Sequence, residues 1–148
     1  MATQILVGLL MICITAYIHS LVLALAIKFV RPVRTWVHRN PTVLNTATAL
    51  SITVIWVMLA HLLETMAWAT LFVSLDIFQE FEKSFYFSLV AYTTLGFGDV
   101  TLPEHWRILS GFIASNGFLV FGWSTAFQVS FFTGLNPYEK KDQNATPY

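Results

Sequence analysis

Residues 81–106 read FEKSFYFSLVAYTTLGFGDVTLPEHW. Within this stretch, residues 84–98 carry no charge, a run of 15 residues. A helix needs roughly 20 apolar residues to cross a bilayer, and a shorter run suggests a re-entrant or interfacial segment. Ser84 is placed to cap a helix over 85–93. Thr94, Leu95, Gly96, Phe97, Gly98 and Asp99 follow. Glycines in alternation do not suit a helix. Irregular backbone at membrane depth is tolerated only inside protein or beside a water-filled path.

The rest of the chain fits a membrane setting. Of 148 residues, 56% are hydrophobic and only 11% are charged. Ordinary globular proteins carry roughly 25% charged residues, so a water-facing surface is excluded. Eight Lys and Arg balance eight Asp and Glu, which argues against nucleic acid as a partner. The single Cys13 excludes an internal disulfide and a cysteine-based zinc site. Residues 1–27, 40–63 and 108–138 lack Asp, Glu, Lys and Arg. They predict membrane-spanning helices over about 4–28, 43–74 and 107–134. The first lacks the positive n-region of a signal peptide, so it reads as an uncleaved span.

Lys28, Arg31, Arg34 and Arg39 follow the first span, and Lys140 and Lys141 lie in the tail. The positive-inside rule makes the 28–39 loop and the C-terminus cytoplasmic. The 76–106 segment then dips in from outside, and the N-terminus is outside. The expected architecture is all-α and integral to the cell membrane, with membrane lipids as surroundings. It has three transmembrane helices plus a re-entrant pore helix and a filter loop. Residues 1–42 form a peripheral span and basic loop, 43–134 a pore unit, and 135–148 a polar tail. The Asn144-Ala145-Thr146 sequon in that tail reads as chance.

TTLGFGD at residues 93–99 resembles the potassium-channel signature, whose TVGYG form builds a selectivity filter from backbone carbonyls. The aromatic-rich segment 85–92 resembles that family's pore helix, and a glycine-bearing inner helix follows. The resemblance covers about residues 43–134. It implies a homotetrameric channel, selective for K+, that conducts passively and is not an enzyme. K+ is the permeant ion, held by carbonyls of Thr94, Leu95, Gly96 and Phe97, and no cofactor is implied. Gly96 and Gly98 permit left-handed backbone. The side chains of Leu95 and Phe97 should point away from the ion path, with Tyr86, Phe87 and Tyr92 packed behind them. Asp99 lies at the outer mouth. Leu95 and Phe97 stand where valine and tyrosine are commoner in the family. Tyr86 and Phe87 replace tryptophans of many relatives, and Val90 stands where some have an acid.

Several further residues carry alternatives. Gly117 and Gly122 read as gating hinges or as close-packing positions. Leu119, Gly122 and Ala126 share a stripe that would face the pore cavity, with Phe118, Phe121 and Thr125 as the alternative register. Asn116 would face that cavity or brace the pore helix. Glu64, about 30 Å along its helix from residue 43, reaches the level of the pore helix. An acid inside a span marks function by default. Glu64 and Tyr92 are candidate braces of the filter, with a response to external pH as the second reading of Glu64. Two rival functions remain. One is a weakly selective Na+/K+ channel. The other is a small redox or proton-handling membrane protein using His19, His61 and Glu64. Assembly as an auxiliary subunit of a larger channel is a further alternative. The first span has no regular arginine series of the kind a voltage sensor needs.

Overall fold

A computed structural model describes residues 1–135. It contains α1 (Ala2–Arg39), α2 (Val43–Ser74), α3 (Phe81–Tyr92) and α4 (Ile108–Thr133). No strand occurs among the described residues. Three helices, α1, α2 and α4, are long and apolar enough to cross a membrane. The tail from residue 136 onward, with its sequon and two lysines, lies outside the described residues.

α1 is longer than its apolar run. Residues 28–39, expected as a loop, continue the helix for its full 38 residues. At 1.5 Å per residue this is about 57 Å, nearly twice a hydrocarbon core. Pro32 lies inside it, where it removes one N–H that would reach back four residues and its ring crowds the carbonyl there. The stop comes at Asn40, whose φ of −132° and ψ of 75° leave the helix. Pro41 disfavours helical backbone in the residue before it. Thr42 then starts α2, its side chain accepting the Asn45 amide at 3.2 Å. So short a connection makes α1 and α2 antiparallel neighbours.

α3 has 12 residues, about 18 Å of helix, and cannot span. It begins a turn earlier than expected because Ser84 is not its cap. Ser84 is buried inside the helix, and its hydroxyl donates to the Ala69 carbonyl of α2 at 2.8 Å. That bond ties the start of α3 to α2. Below it, Phe72 meets Phe87 and Phe78 with ring centroids 5.4 and 6.4 Å apart, both edge-on. Trp68, Leu109 and Ile113 complete this core. Edge-on aromatic pairs contribute about 0.5–1.5 kcal/mol each beyond area burial.

α1 packs on α4 as well as on α2. The Phe112 ring of α4 covers Gly8 and occupies the space a Cβ there would need. Gln4 of α1 serves the start of α4, which has no side-chain cap of its own. Its Nε2 donates to the His105 carbonyl, and its Oε1 accepts the Ile108 amide at 3.2 Å. Leu6, Leu9, Leu10 and Tyr17 of α1 remain exposed, as a lipid-facing surface requires.

Candidate ion-conduction site

The chain leaves α3 by capping it with the following loop. The Thr94 amide donates to the Ala91 carbonyl and the Leu95 amide to the Val90 carbonyl, both at 3.0 Å. φ is then positive at every second residue: 61° at Thr94, 57° at Gly96 and 80° at Gly98. Gly96 and Gly98 are the positions expected to need this freedom. A Cβ at either would meet nothing within 4 Å, so glycine is present for backbone conformation and not for room. Thr94 adds a third left-handed residue that its type did not announce. A non-glycine residue held there is uncommon and costs about 1–3 kcal/mol. Alternating the hand of the backbone turns successive peptide planes so that their carbonyls can gather on one side.

Leu95 and Phe97 are 61% and 66% exposed in the single chain. The expectation that Tyr86, Phe87 and Tyr92 pack behind them does not hold within one chain. Phe87 and Tyr92 are both buried in the core that α3 shares with its neighbouring helices. The Tyr86 hydroxyl instead donates to Asp99 Oδ2 at 2.7 Å. That bond holds the Asp99 carboxyl below its ordinary value of 3.8, so Asp99 stays ionised at the mouth of the loop. A cavity of about 550 Å³ lies beside the loop, lined by Thr94, Gly96, Gly98, Val90 and Arg107 among others.

Behind α3 lies a buried polar cluster. Glu64 is fully buried. Its Oε1 meets His19 Nδ1 at 2.8 Å, and its Oε2 accepts the Tyr92 hydroxyl. His61 Nδ1 lies 3.1 Å from the Tyr92 hydroxyl, and Ser124 Oγ is 2.9 Å from His61 Nε2. The structure thus brings Glu64 and Tyr92, the two candidate braces, into direct contact. It also draws in His19 and His61. The donor atoms of His19, His61 and Glu64 lie within 4.8 Å of one another, and each is engaged by a partner inside the cluster. Ser124 carried no signal in the sequence beyond being a hydroxyl in an apolar span.

One expectation for α4 changes. Asn116 neither faces a cavity nor braces α3. It is buried and donates to Thr15 Oγ1 of α1 at 2.8 Å, because α1 packs where only α2 was expected. Gly117 sits against the end of α3, where the Tyr92 carbonyl oxygen fills the place of a Cβ. Gly122 has open space around it. Leu119, Gly122 and Ala126 are all exposed in the single chain. Phe121, from the alternative register, packs on His61 with ring centroids 4.4 Å apart.

A model of the ion channel family matches residues 60–134, just over half of the chain. The matched segment runs from within α2, through α3 and the alternating-hand loop, to the end of α4. The chain belongs to this ion channel family. No curated protein and no solved structure matches it.

Proposed function

We propose that four copies of this chain form a K+-selective channel in the cell membrane, conducting passively along the symmetry axis. One observation carries the reading. A helix too short to span ends in a loop whose φ is positive at Thr94, Gly96 and Gly98 in alternation. K+ must shed its water to enter a narrow filter, and rings of backbone carbonyls can replace that shell. In this reading Thr94, Leu95, Gly96 and Phe97 supply the carbonyl rings, Gly98 completes the filter, and Asp99 draws cations to its mouth. One loop per chain supplies one quarter of each ring, so closure requires a homotetramer with cyclic symmetry. The exposed Leu95, Phe97, Phe118 and Leu119 are surfaces that neighbouring copies and the pore would occupy. Glu64 and Tyr92 brace the filter from behind. The N-terminus lies outside and the basic end of α1 lies in the cytoplasm.

The test is recording across a planar bilayer with K+ on one side and Na+ on the other. A reversal potential near that of K+ is expected. A reversal potential at zero selects the second reading, a weakly selective Na+/K+ channel. That reading has one observation in its favour, since Phe97 has no hydroxyl with which to tie the filter to α3. In that case Phe97→Tyr or Leu95→Val should sharpen selectivity. Native mass measurement of the purified protein is expected to give four copies, and a stable monomer would contradict the proposal.

A further inference from the structure

All four helices contribute to one closed ring of hydrogen bonds. Glu64 of α2 accepts the Tyr92 hydroxyl of α3, and Tyr92 meets His61 Nδ1 of α2 at 3.1 Å. His61 Nε2 meets Ser124 Oγ of α4 at 2.9 Å. Ser124 Oγ meets His19 Nε2 of α1 at 3.4 Å, and His19 Nδ1 returns to Glu64 Oε1 at 2.8 Å. The five side chains are between 0% and 5% exposed. Trp123 packs beside His19, and Phe121 packs on His61 and Tyr92. Among the described residues, no other titratable or charged side chain is hydrogen-bonded or ion-paired to the ring.

Each bond in such a ring needs one proton between its two heavy atoms. Tyr92, Ser124 and two neutral imidazoles supply one each, and a carboxylate supplies none. That is four protons for five bonds, and one pair of lone pairs would face each other. Two kinds of arrangement satisfy every bond. In the first, Glu64 is a carboxylate and one histidine is an imidazolium. With His19 charged, it donates to Glu64 and Ser124, Ser124 donates to His61, His61 to Tyr92, and Tyr92 to Glu64. In the second, Glu64 is a carboxylic acid, and the donors run round the ring in one direction. Both kinds hold five protons, and both are neutral as a unit. Four protons leave a net negative charge and a broken bond in a buried site. Six leave a net positive charge and two hydrogens in opposition. Buried charge and unmade bonds are both strongly unfavourable.

We propose that the ring keeps this fifth proton, and that His19 is through it a positioning residue for the filter. Tyr92 ends α3 two residues before Thr94, and the carboxyl group that fixes Tyr92 is itself held by His19. α1 is thereby part of the filter's support and not only an outer layer. The inference rests on reading residues 94–98 as the filter. Its test does not depend on ion flux, so a failure of K+ selectivity would be seen separately.

The experiment is solid-state NMR of the labelled full chain in lipid bilayers. It reads the ionisation of Glu64 and the number of N–H groups on His19 and His61. A carboxylate with three ring N–H groups, or a carboxylic acid with two, is the expected result. A carboxylate with two, or a carboxylic acid with three, overturns the proposal. His19→Gln retains a donor for Glu64 and an acceptor for Ser124, whereas His19→Leu retains neither. Backbone signals of residues 94–98 should stay near their wild-type positions in the first variant and shift in the second. Equal shifts in both variants, or none in either, would overturn the positioning role. Ser124→Ala opens the same ring from α4 and should shift the same signals, which keeps the test decisive should His19→Leu fail to fold.

Discussion

The carbonyl oxygen of Tyr92 occupies the space in which Gly117 would carry a Cβ. α4 therefore touches the backbone at the end of α3, just before the loop of alternating backbone hand. Gly117→Ala must push α3 and α4 apart. Overpacking of a tight contact typically costs about 1–3 kcal/mol, so the variant should lower the melting temperature and disturb conduction together. Gly122→Ala, with open space at its Cβ, should leave stability unchanged or raise it by about 0.5–1 kcal/mol. If Gly122 is the gating hinge, its alanine variant should reduce open probability without loss of melting temperature. Thermal unfolding and single-channel recording on both variants check this.

Tyr92→Phe removes one hydroxyl that serves two partners. The Glu64 carboxyl group and His61 Nδ1 each lose a hydrogen bond inside a buried cluster. Leaving a buried polar group unpaired costs about 1–3 kcal/mol. The expected result is a lower melting temperature, although the substituted ring still fills the site against Phe121. A melting temperature equal to wild type would show that the hydroxyl is not structurally required.

Asp99 and Tyr86 set an acid limit at the loop mouth. The Tyr86 hydroxyl bond holds the Asp99 carboxyl below 3.8. The charge and its bond are therefore present above that ordinary value and are lost as pH falls through the lower, folded-state value. Tyr86→Phe should return Asp99 toward 3.8 and move the acid loss of cation uptake to higher external pH. Uptake measured against external pH for wild type and Tyr86→Phe tests the direction. A shift to lower pH, or none, would contradict it.

Gln4 acts from α1 on the start of α4, accepting the Ile108 amide at 3.2 Å. Gln4→Ala leaves that amide without a side-chain partner. Lost helix caps cost about 0.5–2 kcal/mol. Amide exchange at Ile108 should speed up in the variant, while exchange in α2 should not change.

What the sequence made legible follows from the range over which each force acts. The predicted spans 43–74 and 107–134 match α2 and α4 almost to the residue, because the need to bury apolar length in lipid is a property of the segment itself. The left-handed backbone at Gly96 and Gly98 is readable from the sequence, because the freedom of glycine is intrinsic. Thr94 was not readable as left-handed, since its conformation is imposed by the loop around it. The 28–39 segment was misread as a loop because charge marks the membrane boundary and says little about where a helix ends. Ser84 resembled a cap, but its hydroxyl serves Ala69 of a neighbouring helix. Glu64 and Tyr92 stood out by residue type and depth. His19 reaches Glu64 through the packing of α1 on α2, and Ser124 joins the cluster through the packing of α4 on α1 and α2, and no local pattern encodes which residues meet there.

Ion flux into liposomes tests whether residues 94–98 act as a K+ filter. Purified protein reconstituted into lipid vesicles is given equal inward gradients of K+ or Na+, with Gly96→Ala as the control. K+ uptake well above Na+ uptake, abolished by Gly96→Ala, is the predicted result. Equal uptake of the two ions, or K+ uptake that survives Gly96→Ala, would contradict it.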